Sequence, residues 1–310
     1  MAFEPPERLV RALGETYGDA VAARRLGQLP ELAEAAVTGL GLTVDRVQAP
    51  GGRSSLVLLV WRQDGTAAAL KLAPAEARPE LERDALRHWA GWGAAQLLPP
   101  DTSSDAARLL PPDAASALLL ERLHPEVSLR SLPEAKALLE AAGTLRRLWV
   151  EPPAAHAFES VAARTERQSV PMRGELPPEL APLAAAALEA RDHLTASASE
   201  ELLLHGNFRQ SKVLSAERAP WLTVGPEPVV GERAYDLARL VRDRVEDLIA
   251  APSGASVARR RVNKLADALD VDPARLHGWT LFRAVESGLR ARAAGRTEEA
   301  ELLLEFATWL

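Results

Sequence analysis

The stretch Gly51-Gly-Arg-Ser-Ser-Leu-Val-Leu-Leu-Val-Trp-Arg-Gln-Asp-Gly-Thr-Ala-Ala-Ala-Leu-Lys-Leu72 decides the fold class. Ser55 to Trp61 is an apolar run, Gln63-Asp64-Gly65 is a turn signal, and Thr66 to Leu72 is a second strand-like run, so a glycine pair precedes a β-hairpin. The two-residue period puts Ala67, Ala69 and Lys71 on one face and Ala68, Leu70 and Leu72 on the other. Lys71 therefore sits in an apolar strand. Only Lys71, Lys136, Lys212 and Lys264 among the 37 basic residues are lysines, so each lysine position carries information.

Upstream of the hairpin, Leu9, Leu13, Leu26, Leu29, Leu32, Ala36, Leu40 and Leu42 recur at near-helical spacing, with breaks expected at Gly14, Gly18 and Pro30. Downstream, Pro79 opens a helix in which Leu81, Ala85, Trp89 and Trp92 repeat, closing near Gly91 to Gly93. Ala106 to Leu110 and Ala117 to Leu123 flank a Pro-Pro-Asp turn and read as another hairpin. His124-Pro125-Glu126 reads as a hinge. Beyond it the pattern predicts helices near 133–149, 176–196, 234–250, 256–269, 273–293 and 297–309, broken by a β-rich island at 202–224. The expected architecture is α+β in two lobes: residues 1–123, with a helical start, an antiparallel sheet and one long helix, and residues 124–310, helical with the β insert.

The chain has 310 residues, a net charge of −6, 47% hydrophobic and 26% charged residues, which is ordinary globular composition. With no cysteine, thiolate catalysis and Cys-ligated metal clusters are excluded. The acidic balance argues against nucleic acid as the partner, because phosphate-backbone affinity needs clustered Lys and Arg. No apolar leader or membrane-length run appears, so no membrane partner and a cytoplasmic location are expected. The histidines are scattered without a His-x-x-x-His pair, so His205 reads as a loop brace. Trp89, Trp92, Trp149, Trp221 and Trp279 read as core anchors, and Arg259-Arg260-Arg261 as a solvated face.

Taken in order, Gly51-Gly52-Arg-Ser-Ser, Leu70-Lys71-Leu72, Glu82-Arg-Asp-Ala-Leu-Arg-His-Trp89, Leu118-Leu-Leu-Glu-Arg-Leu123, His205-Gly206 and Val229-Val-Gly-Glu-Arg-Ala-Tyr-Asp-Leu-Ala-Arg-Leu240 resemble the protein-kinase-like fold. The closer likeness is to the aminoglycoside and hydroxyurea phosphotransferases, the streptomycin 6-kinase-like antibiotic-resistance kinases. The resemblance implies that Gly51, Gly52 and Ser54 of the glycine loop, with Lys71 held by Glu82, bind the phosphates of ATP or GTP.

The resemblance also exposes three departures. The family's catalytic loop reads His-Gly-Asp-Leu-His-x-x-Asn-Val-Leu, whereas this chain reads His205-Gly-Asn-Phe-Arg-Gln-Ser-Lys-Val-Leu214. Asn207 replaces the base and Lys212 replaces a magnesium ligand. The family's Asp-Pro-Lys-Gly becomes Gly225-Pro-Glu-Pro228, so the second metal position is Gly225. Neither an ammonium nor a glycine side position can ligate magnesium. The leading expectation is a pseudokinase-like protein that binds a nucleotide or small molecule, with magnesium doubtful and with Lys212 either standing where relatives hold a metal or pairing with Glu227 or Glu232. The alternative is an active small-molecule O-phosphotransferase with Glu227 as a displaced carboxylate. A third reading is a module that binds a protein partner. Asp236, near a helix start, is expected to cap that helix or bond the His205-Gly206 loop.

Overall fold

The computed structural model describes residues 4–99 and 117–310. They form two compact units: the described residues up to Val127 with Leu214–Leu222, and Ser128–Val213 with Thr223–Leu310. The boundary differs from the expected 123/124, because 214–222 belongs with the first unit. Arg218 accounts for this: its guanidinium donates to Glu121 at 2.7 Å and to the Ala94 carbonyl at 3.2 Å. Such long-range partners leave no local pattern in the sequence.

In the first unit, helices α1 (Glu7–Tyr17) and α2 (Asp19–Gly39) precede strands β1 (Thr43–Val47), β2 (Leu56–Trp61) and β3 (Ala67–Leu72), helix α3 (Pro79–Trp89) and strand β4 (Leu118–Glu121). The sheet runs β1-β2-β3-β4, every pair antiparallel. The expected hairpin is present. Its register pairs Leu56 with Leu72, Leu58 with Leu70 and Val60 with Ala68, so the face without Lys71 is one apolar stripe. That stripe packs with Leu9, Leu13, Ala33 and Ala36 of α1 and α2. The helices are continuous through Gly14 and Pro30 and break only at Gly18, whose φ of +82° suits glycine. Strand β1 was not foreseen; five residues are too few for a periodicity. Trp92 is also not a core anchor: it lies past the end of α3 and is 65% exposed. Of the expected second hairpin, Ala106 to Leu110 and the turn at 111–113 lie outside the described residues, while Leu118 to Glu121 form β4.

Strand β5 (His124–Ser128) takes the place of the expected hinge and pairs, in the order β5-β7-β8, with β7 (Val213–Ser215) and β8 (Trp221–Thr223). The second unit is built from α4 (Glu134–Leu148), α5 (Val161–Ser169), α6 (Ala181–Ala196), α7 (Arg233–Val241), α8 (Val245–Ala250), α9 (Gly254–Leu269), α10 (Pro273–Ala293) and α11 (Thr297–Thr308). Strands β6 (Leu202–Leu204) and β9 (Val229–Gly231) pair antiparallel and flank the loop that carries His205. The expected helix at 234–250 is two helices, because Arg244 takes a left-handed φ of +55° between them. Helix α10 is the central post: Trp279 packs edge-on against Tyr235 at 5.2 Å and against Phe282 at 6.0 Å. Arg261 corrects the solvated-face reading of the arginine run. It is 3% exposed, donating to the carbonyls of Val241 at 2.8 Å and Asp243 at 2.7 Å and pairing with Glu134 at 2.5 Å.

Candidate functional site

In the first unit, β3 is an inner strand of the sheet, so Lys71 is not at an edge where it could reach water freely; Val57 and Leu118 are its neighbours in register. Its ammonium donates to Glu82 Oε2 on α3. The Glu82 side chain is buried, 8% exposed, and that of Lys71 is largely covered, 13% exposed. A buried ion pair is costly to assemble and is weak evidence for stability, so its presence calls for a use. Glu82 Oε1 is buried with no hydrogen-bond partner among the described residues, and it marks the pair as incompletely satisfied.

The glycine turn lies beside this strand pair. Gly51 has φ +76°, and a Cβ there would come within 2.9 Å of Pro6 and 3.2 Å of the Gln48 carbonyl, so the sharp turn requires glycine. Arg53 is held by Glu15 at 2.7 Å. Ser54 borders a shallow open hollow with Leu9, Leu13, Leu29, Leu56 and Leu72, on the side of the sheet covered by α1 and α2. Lys71 is on the opposite face, so Ser54 and Lys71 are not brought together on one side of the sheet.

The second unit organises Asn207, Lys212, Gly225 and Glu227. Asp236, fully buried at the start of α7, accepts the backbone N–H of His205 and of Gly206, each at 2.9 Å. Asp243 accepts the Gln210 N–H at 2.5 Å. Arg283 of α10 donates to the Gly206 carbonyl at 2.9 Å and to the Tyr235 carbonyl at 2.8 Å. The loop is thus pinned by its backbone. Gly206 has φ +75°, and any Cβ there would collide with the Glu227 carbonyl oxygen. His205 braces the loop as expected: its Nδ1 accepts the Asn207 N–H at 3.2 Å, so the proton rests on Nε2, which donates to the Val224 carbonyl at 3.3 Å. Burial, with help from the Lys212 charge, holds the His205 pKa well below the usual histidine value.

On this braced loop, the Asn207 amide nitrogen donates to Glu227 Oε1, while Asn207 Oδ1 is buried without a partner among the described residues. Lys212 donates to the Gly225 carbonyl at 2.6 Å and stands 4.0 Å from Glu227 Oε1. Of its two expected acidic partners, Glu227 is therefore near; Glu232 is instead taken by Arg275 at 2.5 Å and by the Trp279 indole at 2.6 Å. Burial pushes the Glu227 carboxyl up, but Lys212, Arg239 and Arg164 and the Asn207 amide together draw it down to about 2. Its side chain keeps 62% of its surface open, so solvent screens part of that field and the carboxylate is accessible.

A magnesium ion does not fit this donor set. Asn207 offers one amide oxygen, Gly225 offers no side chain and its carbonyl is engaged by an ammonium, and Lys212 brings positive charge to the position. Among the described residues no group of three or more His, Asp or Glu side chains is placed to hold a metal ion. Nor is any described helix long and apolar enough to cross a membrane.

An antiparallel sheet with a lysine–glutamate pair, and a helical unit with a backbone-pinned His-Gly loop, define a kinase-like phosphotransferase fold. Solved structures agree on the fold: a thermostable mutant of an aminoglycoside phosphotransferase in ternary complex with AMP-PNP and hygromycin B has a TM-score of 0.57 at 14% identity, covering 86% of this chain and 93% of that one. Choline kinase from Streptococcus pneumoniae gives 0.58 at 10% identity, covering 91% and 99%. The family model described as aminoglycoside/hydroxyurea antibiotic resistance kinase matches residues 40–295, and the chain belongs to that family. It is 34% identical over 294 residues to a streptomycin 6-kinase of Streptomyces glaucescens, covering 92% of this chain and 90% of that one. It is 32% identical over 259 residues to a hydroxyurea phosphotransferase of Kitasatospora aureofaciens, covering 79% and 68%. These relatives carry the names of a kinase and a phosphotransferase, which favours the phosphotransferase alternative over the impaired reading.

The sequence reading missed Arg239. The signal was present as Asp236-x-x-Arg239, a spacing that places both on one side of α7.

Proposed function

We propose that this chain is an ATP-dependent phosphotransferase acting on a hydroxyl or hydroxylamine oxygen of a small molecule, as the names of its relatives imply. Family membership supports the reaction class, and one observation carries the local reading: Asn207 hands its amide hydrogen to Glu227, so an accessible carboxylate stands one hydrogen bond beyond the lost base. In this reading Lys71, held by Glu82, and the Gly51-Gly52 turn bind the phosphates of ATP. The acceptor oxygen forms a bond to the γ-phosphorus as the bond to the β,γ-bridging oxygen breaks, and ADP leaves. Glu227 orients the acceptor O–H. The cations around Glu227 hold its carboxyl below the usual carboxylate range and make it a weak base, so the acceptor proton passes to solvent late in the transfer. The cost is tolerable because a general base is worth only about 10²–10⁴-fold, and phosphoryl transfer depends mainly on positioning and charge neutralisation.

A second reading, binding without transfer, is favoured by the Lys212 contact to Gly225, which closes the place of two metal ligands with a cation. Transfer of labelled γ-phosphate from ATP to streptomycin and to hydroxyurea separates them. The first reading predicts labelled product from wild type that Glu227→Gln reduces. No transfer by wild type, with transfer appearing in the triple variant Asn207→Asp, Lys212→Asn, Gly225→Asp in magnesium, would establish the second.

A further inference from the structure

The misfit to magnesium leaves a question of charge: something must neutralise a phosphate brought to the pinned loop. Helix α7 answers it through its register. Asp236 holds the N–H groups of His205 and Gly206, and Asp243 holds that of Gln210. Arg239 lies three residues after Asp236 within α7, on the side of the helix turned to the His205-Gly206 backbone that Asp236 holds. Its charge draws on Glu227 and works against protonation of His205 and against Arg209, in keeping with that side of the helix.

Most cations around this loop have settled partners. Arg164 pairs with Glu159 at 2.5 Å, Arg283 is taken by two backbone carbonyls, and Arg242 donates to Ser287 at 2.9 Å beside Glu286. Arg239 has no hydrogen bond or ion pair among the described residues, although it is largely enclosed. The charges that act against it are those of Arg242, Arg209 and Arg283, opposed by Glu227 and Asp243. Asp243 is committed to Gln210. Burial and the three arginines both work against the Arg239 charge. A guanidinium that makes no hydrogen bond and whose charge is opposed by burial and by three other arginines gains from an added anion, and its planar fork suits phosphate oxygens.

We propose that Arg239, with Lys212, forms a metal-free phosphate-binding site on the His205–Gln210 loop, taking over the charge neutralisation that a divalent cation would otherwise supply. The inference deepens the proposed function, since the γ-phosphate of ATP is the phosphate that reaction presents; a phosphate monoester is the other source of the same chemistry.

The test is calorimetric titration of the full chain in EDTA with ATP, AMP, tripolyphosphate and glycerol 3-phosphate, for wild type, Arg239→Gln and Arg239→Lys. Loss of one charge-assisted contact to phosphate is expected to weaken ATP and tripolyphosphate by about 10- to 100-fold in Arg239→Gln, with AMP unchanged and partial recovery in Arg239→Lys. Glycerol 3-phosphate binding that is strong in wild type and lost in Arg239→Gln would assign the site to a monoester rather than to the nucleotide. If wild type binds tripolyphosphate through Arg239 but does not bind ATP, the nucleotide reading fails and the phosphate site stands. Equal affinities of wild type and Arg239→Gln for every phosphate, with both proteins folded by circular dichroism, would overturn the proposal, as would wild-type binding of any of them that requires magnesium.

Discussion

The Lys71–Glu82 pair and the His205–Leu214 loop are held in opposite ways, one through its side chains and the other through its backbone. In the first unit the charged pair is kept and buried, on an inner strand whose neighbours are apolar. In the second unit it is the backbone that is held. Asp236 and Arg283 grip the backbone of His205 and Gly206, while positions 207, 212 and 225 carry an amide, an ammonium and a hydrogen. Lys212 stands with Glu227 at 4.0 Å. Backbone-directed anchors fix a loop's shape without fixing what it carries, so fold and reaction can change separately.

The largest effect expected from breaking this comparison is on the scaffold. Asp236→Ala leaves two buried N–H groups and the Arg283 charge uncompensated, which should cost about 3–5 kcal/mol in urea unfolding. A loss below about 1 kcal/mol would show that the loop is not held by Asp236. A smaller effect follows from His205. Its folded pKa is depressed, so the unfolded chain takes up a proton below about pH 6.5 that the folded chain refuses. Stability from this group is therefore full above pH 6.5 and falls by up to about 1.4 kcal/mol per pH unit beneath it. His205→Gln should flatten that part of the stability profile, whereas an unchanged slope would place the acid sensitivity elsewhere.

The hairpin was legible because two apolar runs around Asp64-Gly65 admit one pairing, and that pairing also fixed which face carries Lys71. The long helices were legible from their period. The division of 234–250 was not, because Arg244 takes a left-handed backbone conformation that its residue type does not announce. The return of 214–222 to the first unit depends on Arg218 finding Glu121 across 97 residues. At the site, resemblance located Asn207, Lys212 and Gly225, but a motif records positions rather than partners. That Lys212 would rest on the Gly225 carbonyl, and that Asp236 and Asp243 would hold the loop on either side of Asn207, needed the geometry.

The central claim is that the lysine–glutamate grip is intact while cations of the pinned loop replace the metal. Titration of ATP into wild type and Lys71→Met, each in magnesium and in EDTA, tests it most directly. The account predicts wild-type dissociation constants that agree within about threefold in the two buffers, and binding weakened by about 10- to 100-fold in Lys71→Met in both. Wild-type affinity that collapses when magnesium is chelated, or that is indifferent to Lys71, would contradict it.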